Sequence, residues 1–550
     1  MVILSSIIFS KSSILKVSNK INILFQNHYF LAFLAGAISA LCLAPFEFFI
    51  AGIIGFSAFL TILNLETANK KSFWLGWFFG FGHFLFSLYW IAISLFVDIA
   101  SFWWLVPFAV LLIPSLAAIY IGLVALFLNF ISAKYSISGW RKIILFTIIW
   151  LFFETLRSNF LLPFPWNLLG YSFFSSLSLA QFSSVVGVYG LSFLAVIFYS
   201  APSLFIILNK NKWNFVPKIN FDQQNKSFLA IVIILMISIW SWGFYRLQNT
   251  NVAIDKNIKF RIIQPNIVQK DKQSGEGRYE VFLKHIQMSQ QDNFGGANYI
   301  IWPETAMPYV VDFNKGSDAL LQMAATIPQD GFLVSGLVRG QVNADGTGLE
   351  KAWNSIVSLD DQGEVKDIYD KNILVPFGEY IPLAQFLPFL NTIAGGNVVL
   401  GRGNGAKTVN LGKNQPNFSP LVCYEIIFPG YVIDKNNPPQ FLLNVTNDAW
   451  FGNSSGPYQH FAMAKMRAVE NGISVVRSAN SGISGLIDPW GHEVKTLPFG
   501  QEGVVDVFLV KKLPKTIYHK LGNWPISIIC LVLLLLVFFN SWKRKFRKLF

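Results

Sequence analysis

The chain is 550 residues long, 53% hydrophobic and only 13% charged. Soluble globular proteins average about 25% charged residues, so a single soluble domain is excluded and a membrane protein with something attached is indicated. The net charge of +13 would suit nucleic acid, but the excess lies beside apolar spans: Lys11, Lys16, Lys20, Lys70, Lys71, Lys134, Arg141, Lys142, Lys210, Lys212, Lys218, Lys226, Lys543, Arg544, Lys545, Arg547 and Lys548, with only Glu66 and Asp222 as acids in those segments. The charge is topological, and no nucleic-acid partner is expected.

In chain order, the segment from Met1 to Lys20 is no clean signal peptide, because Lys11 breaks its apolar run and no small-residue cleavage site follows. Apolar stretches lie near 29–44, 46–64, 73–96, 104–130, 142–160, 184–208, 228–246 and 524–541. A helix crosses a bilayer in about 20 residues, so about eight spans are expected. With Lys and Arg marking the cytoplasmic side, the N-terminus, the loops near 65–72, 131–142 and 209–227 and the basic tail lie inside, and 247–523 lies outside. The expected organisation is a membrane domain over 1–246 with spans one to seven, an exported domain over 247–515, and a final span with a cytoplasmic tail over 516–550.

Away from the cytoplasmic ends, the ionisable residues in the spans are Glu47, His83, Arg246 and the pair Glu154 and Arg157. At i and i+3 the last two share a helix face and read best as a mutually neutralising pair. The outer loop from Phe164-Pro165-Trp166 through Tyr171 is aromatic, as at a membrane interface.

From about 258 the pattern changes. Strands are predicted near 259–264, 298–302, 331–337, 353–359, 418–423, 440–445, 473–478 and 483–487, and helices near 277–291, 316–327 and 457–471. Many short strands with interleaved helices indicate a layered α/β sandwich. No glycine-rich phosphate loop sits between strand and helix, and the six histidines never cluster at ligand spacing, so neither metal nor cofactor is expected.

Of the three cysteines, Cys42 and Cys530 lie in apolar spans; Cys423 alone lies in the exported part, at the end of a predicted strand. Such a thiol is either core filler or a nucleophile, and outside the cytoplasm it is buried or used. Two other motifs precede it: Tyr299-Ile300-Ile301-Trp302-Pro303-Glu304, and Tyr369-Asp370-Lys371 leading into Val375-Pro376-Phe377-Gly378-Glu379-Tyr380.

With Cys423-Tyr424-Glu425, these stretches resemble the Glu-Lys-Cys triad of the carbon-nitrogen hydrolase (nitrilase) superfamily. A domain of that kind placed between the seventh and eighth of eight spans resembles the apolipoprotein N-acyltransferase family over nearly the whole chain. Gln264-Pro265-Asn266-Ile267 and Thr446-Asn447-Asp448-Ala449-Trp450-Phe451 support the likeness. One departure is Gln273 after Lys272, where the family usually presents Lys-Trp.

The resemblance implies an α-helical membrane bundle of about eight transmembrane helices plus an α-β-β-α, nitrilase-like exported domain. It implies Cys423 as nucleophile, Glu304 as general base, and Lys371 as the cation favouring the thiolate and the oxyanion. The Tyr424 N–H is a plausible second oxyanion donor. Glu379 and Glu425 are acids near the site, orienting Lys371 or an incoming amine, or serving as salt-bridge partners. Arg467 and Glu470, at i and i+3, read as a structural pair.

The implied reaction is ping-pong: a phospholipid acyl ester acylates Cys423, and the α-amine of the lipid-bearing N-terminal cysteine of an apolipoprotein takes the acyl group, the last step of lipoprotein maturation. The implied setting is a bacterial inner membrane with the domain facing the periplasm. The apolar stretch from Ile381 to Ile393 reads as a lid or membrane-dipping arm, or as core packing. Two other readings stay open: a membrane-anchored amidase using the same triad with water, and a transporter with an exported binding domain. The scarcity of intramembrane charge speaks against the transporter.

Overall fold

The protein was analysed as a computed structural model that describes residues 27–160, 163–206, 222–249, 252–269, 277–313, 318–343, 349–382, 400–412 and 414–546. Two β-sheets form the part between the apolar regions. The first contains β1 (Ile254–Gln264), β2 (Tyr299–Ile301), β3 (Met307–Val311), β4 (Phe332–Val342), β5 (Leu349–Asp360), β6 (Val365–Asp370) and β12 (Gly503–Val510). Their order is β12-β1-β2-β4-β5-β6, with β3 beside β4. The second contains β7 (Phe418–Val422), β8 (Phe441–Thr446), β9 (Ser474–Ala479), β10 (Ser484–Ile487) and β11 (Glu493–Leu497), in the order β11-β10-β9-β8-β7. All eight predicted strands are present, joined by β3, β6, β11 and β12.

Alternation of side chains across each strand builds the layers. Phe260, Ile262, Tyr299, Ile301 and Val334 of the first sheet meet Phe418, Val422, Phe441, Leu443 and Val445 of the second. On the other face of the first sheet, Ile263, Ile300 and Leu333 pack against Phe282 and Met288 of the helix Gly277–Gln290 and against Met323. The other face of the second sheet, with Leu421, Leu442 and Val475, is covered by the helix Gly456–Asn471 through Phe461, Ala464 and Ala468. That helix begins with Pro457 in its first turn and stops at Gly472, whose φ of 66° suits a left-handed cap.

Strands β1, β2 and β4 run parallel. Because β5 is antiparallel to both β4 and β6, β6 runs with β2. The chain therefore leaves β2 and β6 at one edge of the first sheet.

Each of the eight apolar stretches coincides with a helix: His28–Ala40, Phe49–Leu63, Asn69–Leu88, Val106–Tyr135, Trp140–Asn159, Ser183–Ser200, Gln223–Gln248 and Trp524–Phe546. By length and composition alone, three described helical runs are able to cross a membrane: Asn69–Tyr135, Ser183–Phe205 and Gln223–Gln248. The first joins two expected spans through the tight helical segment Tyr89–Asp98. The Ser183–Ser200 helix is buried along its whole length, whereas Gln223–Gln248 turns Ile231, Ile234 and Ile237 outward, as a lipid-facing helix does.

Glu154 and Arg157 hold a loop rather than simply each other: Leu169 N donates to Glu154 Oε1 at 2.9 Å, and Arg157 Nη1 donates to the Phe164 carbonyl at 2.8 Å. The aromatic loop is thus tied down at both ends and lies under the sandwich. Tyr424 OH donates to the Pro163 carbonyl at 2.8 Å. Gln459 is the main tie, since Trp166 Nε1 donates to its Oε1 at 2.7 Å and its Nε2 reaches the carbonyls of Ala44 and Ser87 at 3.3 and 3.2 Å. Arg467 and Glu470 form the expected pair at 2.9 Å, and Glu470 Oε1 also accepts the Val188 N–H at 2.7 Å, beside the positive-φ kink at Gly187.

Candidate active site

Glu304 sits in the turn that follows β2. Trp302 N donates to the Val334 carbonyl and Ala306 N to the Gly336 carbonyl, each at 2.9 Å, so both sides of the turn are bonded to β4. A Cβ at Gly336 would lie 2.6 Å from Glu304 Cα, so this close approach requires glycine. Lys371 leaves the end of β6 at the same sheet edge, fully buried, with its N–H donating to the Asn354 carbonyl at 2.8 Å.

Cys423 leaves β7 of the opposite sheet at a sharp turn. It is a free, buried thiol with φ of 47°, a left-handed conformation that costs a non-glycine residue about 1–2 kcal/mol. Three successive backbone groups there are fixed by buried side chains. Asn444 Nδ2 donates to the Leu421 carbonyl at 3.1 Å, Val422 N donates to Glu425 Oε2 at 2.8 Å, and His460 Nε2 donates to the Cys423 carbonyl at 3.2 Å.

The three chemical groups converge. The Cys423 thiol lies close enough to the Glu304 carboxylate and the Lys371 ammonium for each to act on its charge, and Lys371 Nζ stands 3.8 Å from Glu304 Oε1 and 2.8 Å from Glu379 Oε1. Asn354 Nδ2 bridges the two acids, donating to Glu304 Oε1 at 2.8 Å and to Glu379 Oε1 at 3.0 Å. Val375 N holds the other oxygen of Glu379 at 2.8 Å, so this acid aims the ammonium.

Burial, with the Glu379 charge, pushes the Glu304 carboxyl above the usual carboxylate range, against the pull of Lys371. Burial opposes the Lys371 charge, but Glu379 and Glu304 outweigh it and hold the ammonium above its ordinary value. Burial and the Glu304 charge push the Cys423 thiol up. At rest the sulfur therefore keeps its proton, close to a carboxylate and a fixed positive charge. Such a set is able to form a thiolate only as the proton moves to Glu304, and can stabilise an oxyanion next to Lys371.

Glu425 acts on the backbone. Tyr369 OH, Asn372 N and Ile373 N donate to its Oε1 at 2.7, 2.8 and 3.2 Å, and Val422 N to its Oε2. It joins the chain around Lys371 to the strand before Cys423, and the Lys371 charge acts on it against the effect of burial. The Tyr424 side chain is directed into the membrane half. Asn354, His460 and Arg477 carry no distinguishing signal in the sequence, and Asp448 stands out there only as part of the Thr446–Phe451 stretch. Gln273, and the stretch 381–393 from 383 onward, fall outside the described residues. Among the described residues, no group of three or more His, Cys, Asp or Glu is gathered to hold a metal.

A buried acid, ammonium and thiol gathered between the strand ends of a four-layer sandwich define a cysteine-dependent carbon-nitrogen hydrolase-like enzyme, and residues 260–511 match the family described as Carbon-nitrogen hydrolase. Residues 35–201 match the Apolipoprotein N-acyltransferase N-terminal domain. Relatives similar to the chain include the apolipoprotein N-acyltransferase of Rhodopseudomonas palustris, 33% identical over 92% of this chain and 94% of the relative. Those of Bradyrhizobium diazoefficiens and Rickettsia typhi are each 34% identical, over 92% and 93% of this chain and 93% and 98% of the relatives. The chain belongs to the apolipoprotein N-acyltransferase family. Among solved structures, an amidase from Nesterenkonia sp. is similar at 20% identity, over 50% of this chain and 98% of that one, with a TM-score of 0.36.

Proposed function

We propose that the chain transfers a fatty acyl group from a membrane phospholipid, through a thioester on Cys423, to the α-amine of the lipid-bearing N-terminal cysteine of an apolipoprotein. The observation that carries this is the convergence of Glu304, Lys371 and Cys423 in a sandwich whose nucleophile turn is bonded to the membrane half through Tyr424 and Pro163.

A free cysteine supplies only a few per cent of thiolate at neutral pH. Glu304 takes the Cys423 proton as the sulfur attacks the ester carbonyl. Lys371, aimed by Glu379, stabilises the resulting oxyanion, with the Tyr424 N–H as second donor; one such donor is commonly worth about 3 kcal/mol. Collapse breaks the C–O bond, and Glu304 returns the proton to the departing lysophospholipid. In the second stage the amine attacks the thioester, Glu304 accepts a proton from the nitrogen, and the sulfur leaves as the amide forms.

Both substrates are anchored in the bilayer, and tying the sandwich to it raises their effective concentration at the sulfur. Seven spans before the domain and one after it, with 247–515 on the periplasmic side of a bacterial inner membrane, fit the basic loops. The test is to incubate the purified protein with phospholipid alone and then add a lipopeptide bearing a free α-amine. An acyl group found on Cys423 by mass spectrometry, and passed to the peptide, supports the proposal. Prompt release of free fatty acid without amine would instead make water the acceptor, as in an amidase.

A further inference from the structure

Behind the nucleophile lies a wholly buried polar cluster that the acyl-transfer steps do not use. His460, on the helix Gly456–Asn471, places Nε2 3.2 Å from the Cys423 carbonyl oxygen. That oxygen only accepts, so Nε2 carries the hydrogen. Nδ1 faces Asp448 Oδ1 at 2.9 Å and Arg477 Nη2 at 3.1 Å. Arg477 in turn donates to Asp448 Oδ2 at 2.8 Å and to Asn444 Oδ1, and Asn444 holds the Leu421 carbonyl. Asn444, Asp448, His460 and Arg477 are each 0% exposed.

The imidazole also meets the membrane side of the molecule. The Trp166 ring lies 5.6 Å from it, and the Phe451 ring of the sandwich, itself packed on Trp90 and Trp166, lies 5.8 Å from it, centroid to centroid. Trp166 is held by Gln459, the residue next to His460, and stacks on Phe164, whose carbonyl Arg157 fixes. A continuous chain of contacts thus runs from the helix Trp140–Asn159 through the aromatic loop to the backbone of the nucleophile.

We propose that His460 is a positioning residue: its Nε2–H holds the Cys423 carbonyl, keeping the nucleophile in its left-handed turn, and its ring rests on Trp166 so that the membrane half sets that turn. A sandwich seated wrongly on the loop would leave Cys423 misaligned with Glu304. The inference rests on the acyl-transfer reading above.

Two isosteric changes separate positioning from packing. In His460→Gln the amide nitrogen occupies the place of Nε2 and still donates to the Cys423 carbonyl; in His460→Asn only the place of Nδ1 is filled. The full-length protein in detergent is mixed with dioleoyl phospholipid micelles, and the rate of Cys423 acylation per folded molecule is followed by mass spectrometry, with thermal unfolding midpoints measured alongside. The Gln variant should acylate within about threefold of the unsubstituted protein and the Asn variant about 100-fold more slowly, the scale on which a misplaced reacting group acts, at similar midpoints. Equal rates for the two variants, or rates that merely follow the midpoints, would overturn the proposal. If both variants unfold, Trp166→Phe decides: it keeps a ring against His460 but loses the bond to Gln459. It should slow acylation about tenfold at unchanged KM for the lipid, and an unchanged rate overturns the proposal. Failure of the unsubstituted protein to form any thioester sinks the acyl-transfer reading, and this proposal with it.

Discussion

Asn354 Nδ2 donates to Glu304 Oε1 at 2.8 Å from the middle of β5, one strand removed from β2 in the sheet whose turn carries the acid. This bond favours the ionised carboxylate, whereas burial pushes the Glu304 carboxyl upward. A base with a raised pKa is lost on acidification sooner than an ordinary carboxylate, so the acid limb of kcat/KM for acylation should lie above the normal carboxylate range. Asn354→Leu removes a stabiliser of the charged form, and the limb should move to still higher pH, a shift of one unit costing about tenfold at pH values below the limb. The pH profile of single-turnover acylation measures it.

Lys371 is clamped between two acids and is fully buried. Lys371→Met should slow Cys423 acylation by about 100-fold or more, the effect of losing one oxyanion donor of about 3 kcal/mol. It also leaves Glu304 and Glu379 facing each other without a cation, so protonation of one of them should become measurable near neutral pH by infrared difference spectroscopy.

Gly336→Ala tests the seat of the general base. The added methyl would meet Glu304 Cα and the Pro303 carbonyl at 2.6 and 2.7 Å, which are backbone atoms unable to swing away. Overpacking of this kind costs about 1–3 kcal/mol. The unfolding midpoint should fall, and acylation should fall further than the midpoint alone accounts for, because the displaced atom carries the base.

Burial opposes the Asp448 charge, but Arg477 and His460 pull the carboxyl down to about 2 from an ordinary 3.8. A depressed folded-state value means stability that is complete above the unfolded pKa and disappears as pH falls from about 4 toward about 2, on the order of 2 kcal/mol in all. Asp448→Asn should lower stability at neutral pH and flatten this part of the acid-unfolding curve. A variant with an unchanged acid limb would contradict it.

The chemical groups are readable from sequence because each follows a strand with a distinctive neighbour: Pro303 before Glu304, Asp370 before Lys371, and the apolar run from Pro420 to Val422 before Cys423. Their supports are not. Asn354 lies within a strand and His460 within a helix, and each acts across a sequence separation of tens of residues, at 50 for Asn354 to Glu304 and 37 for His460 to Cys423. Glu425 reads as another acid of the site, yet its oxygens are taken by backbone N–H groups whose positions depend on the fold. Strands β6 and β11 escape the alternation test because Val365–Asp370 carries charges on both faces and Glu493–Leu497 has no buried residue. The apolar stretches are legible as helices. Whether each crosses a bilayer depends on packing that hydropathy does not report, as the shorter helices His28–Ala40 and Phe49–Leu63 illustrate.

Apart from Tyr458 and Lys465, the helix Gly456–Asn471 is buried: one side closes the second sheet, and another carries Gln459 and Glu470 into the helices beneath. Excising the sandwich as a water-soluble fragment would therefore strip an amide and a carboxylate of their partners and lay open a greasy floor. Such a fragment should aggregate when expressed alone. The enzyme is in this sense one folding unit, and its catalytic part is completed only when the lipid-embedded helices are already in place.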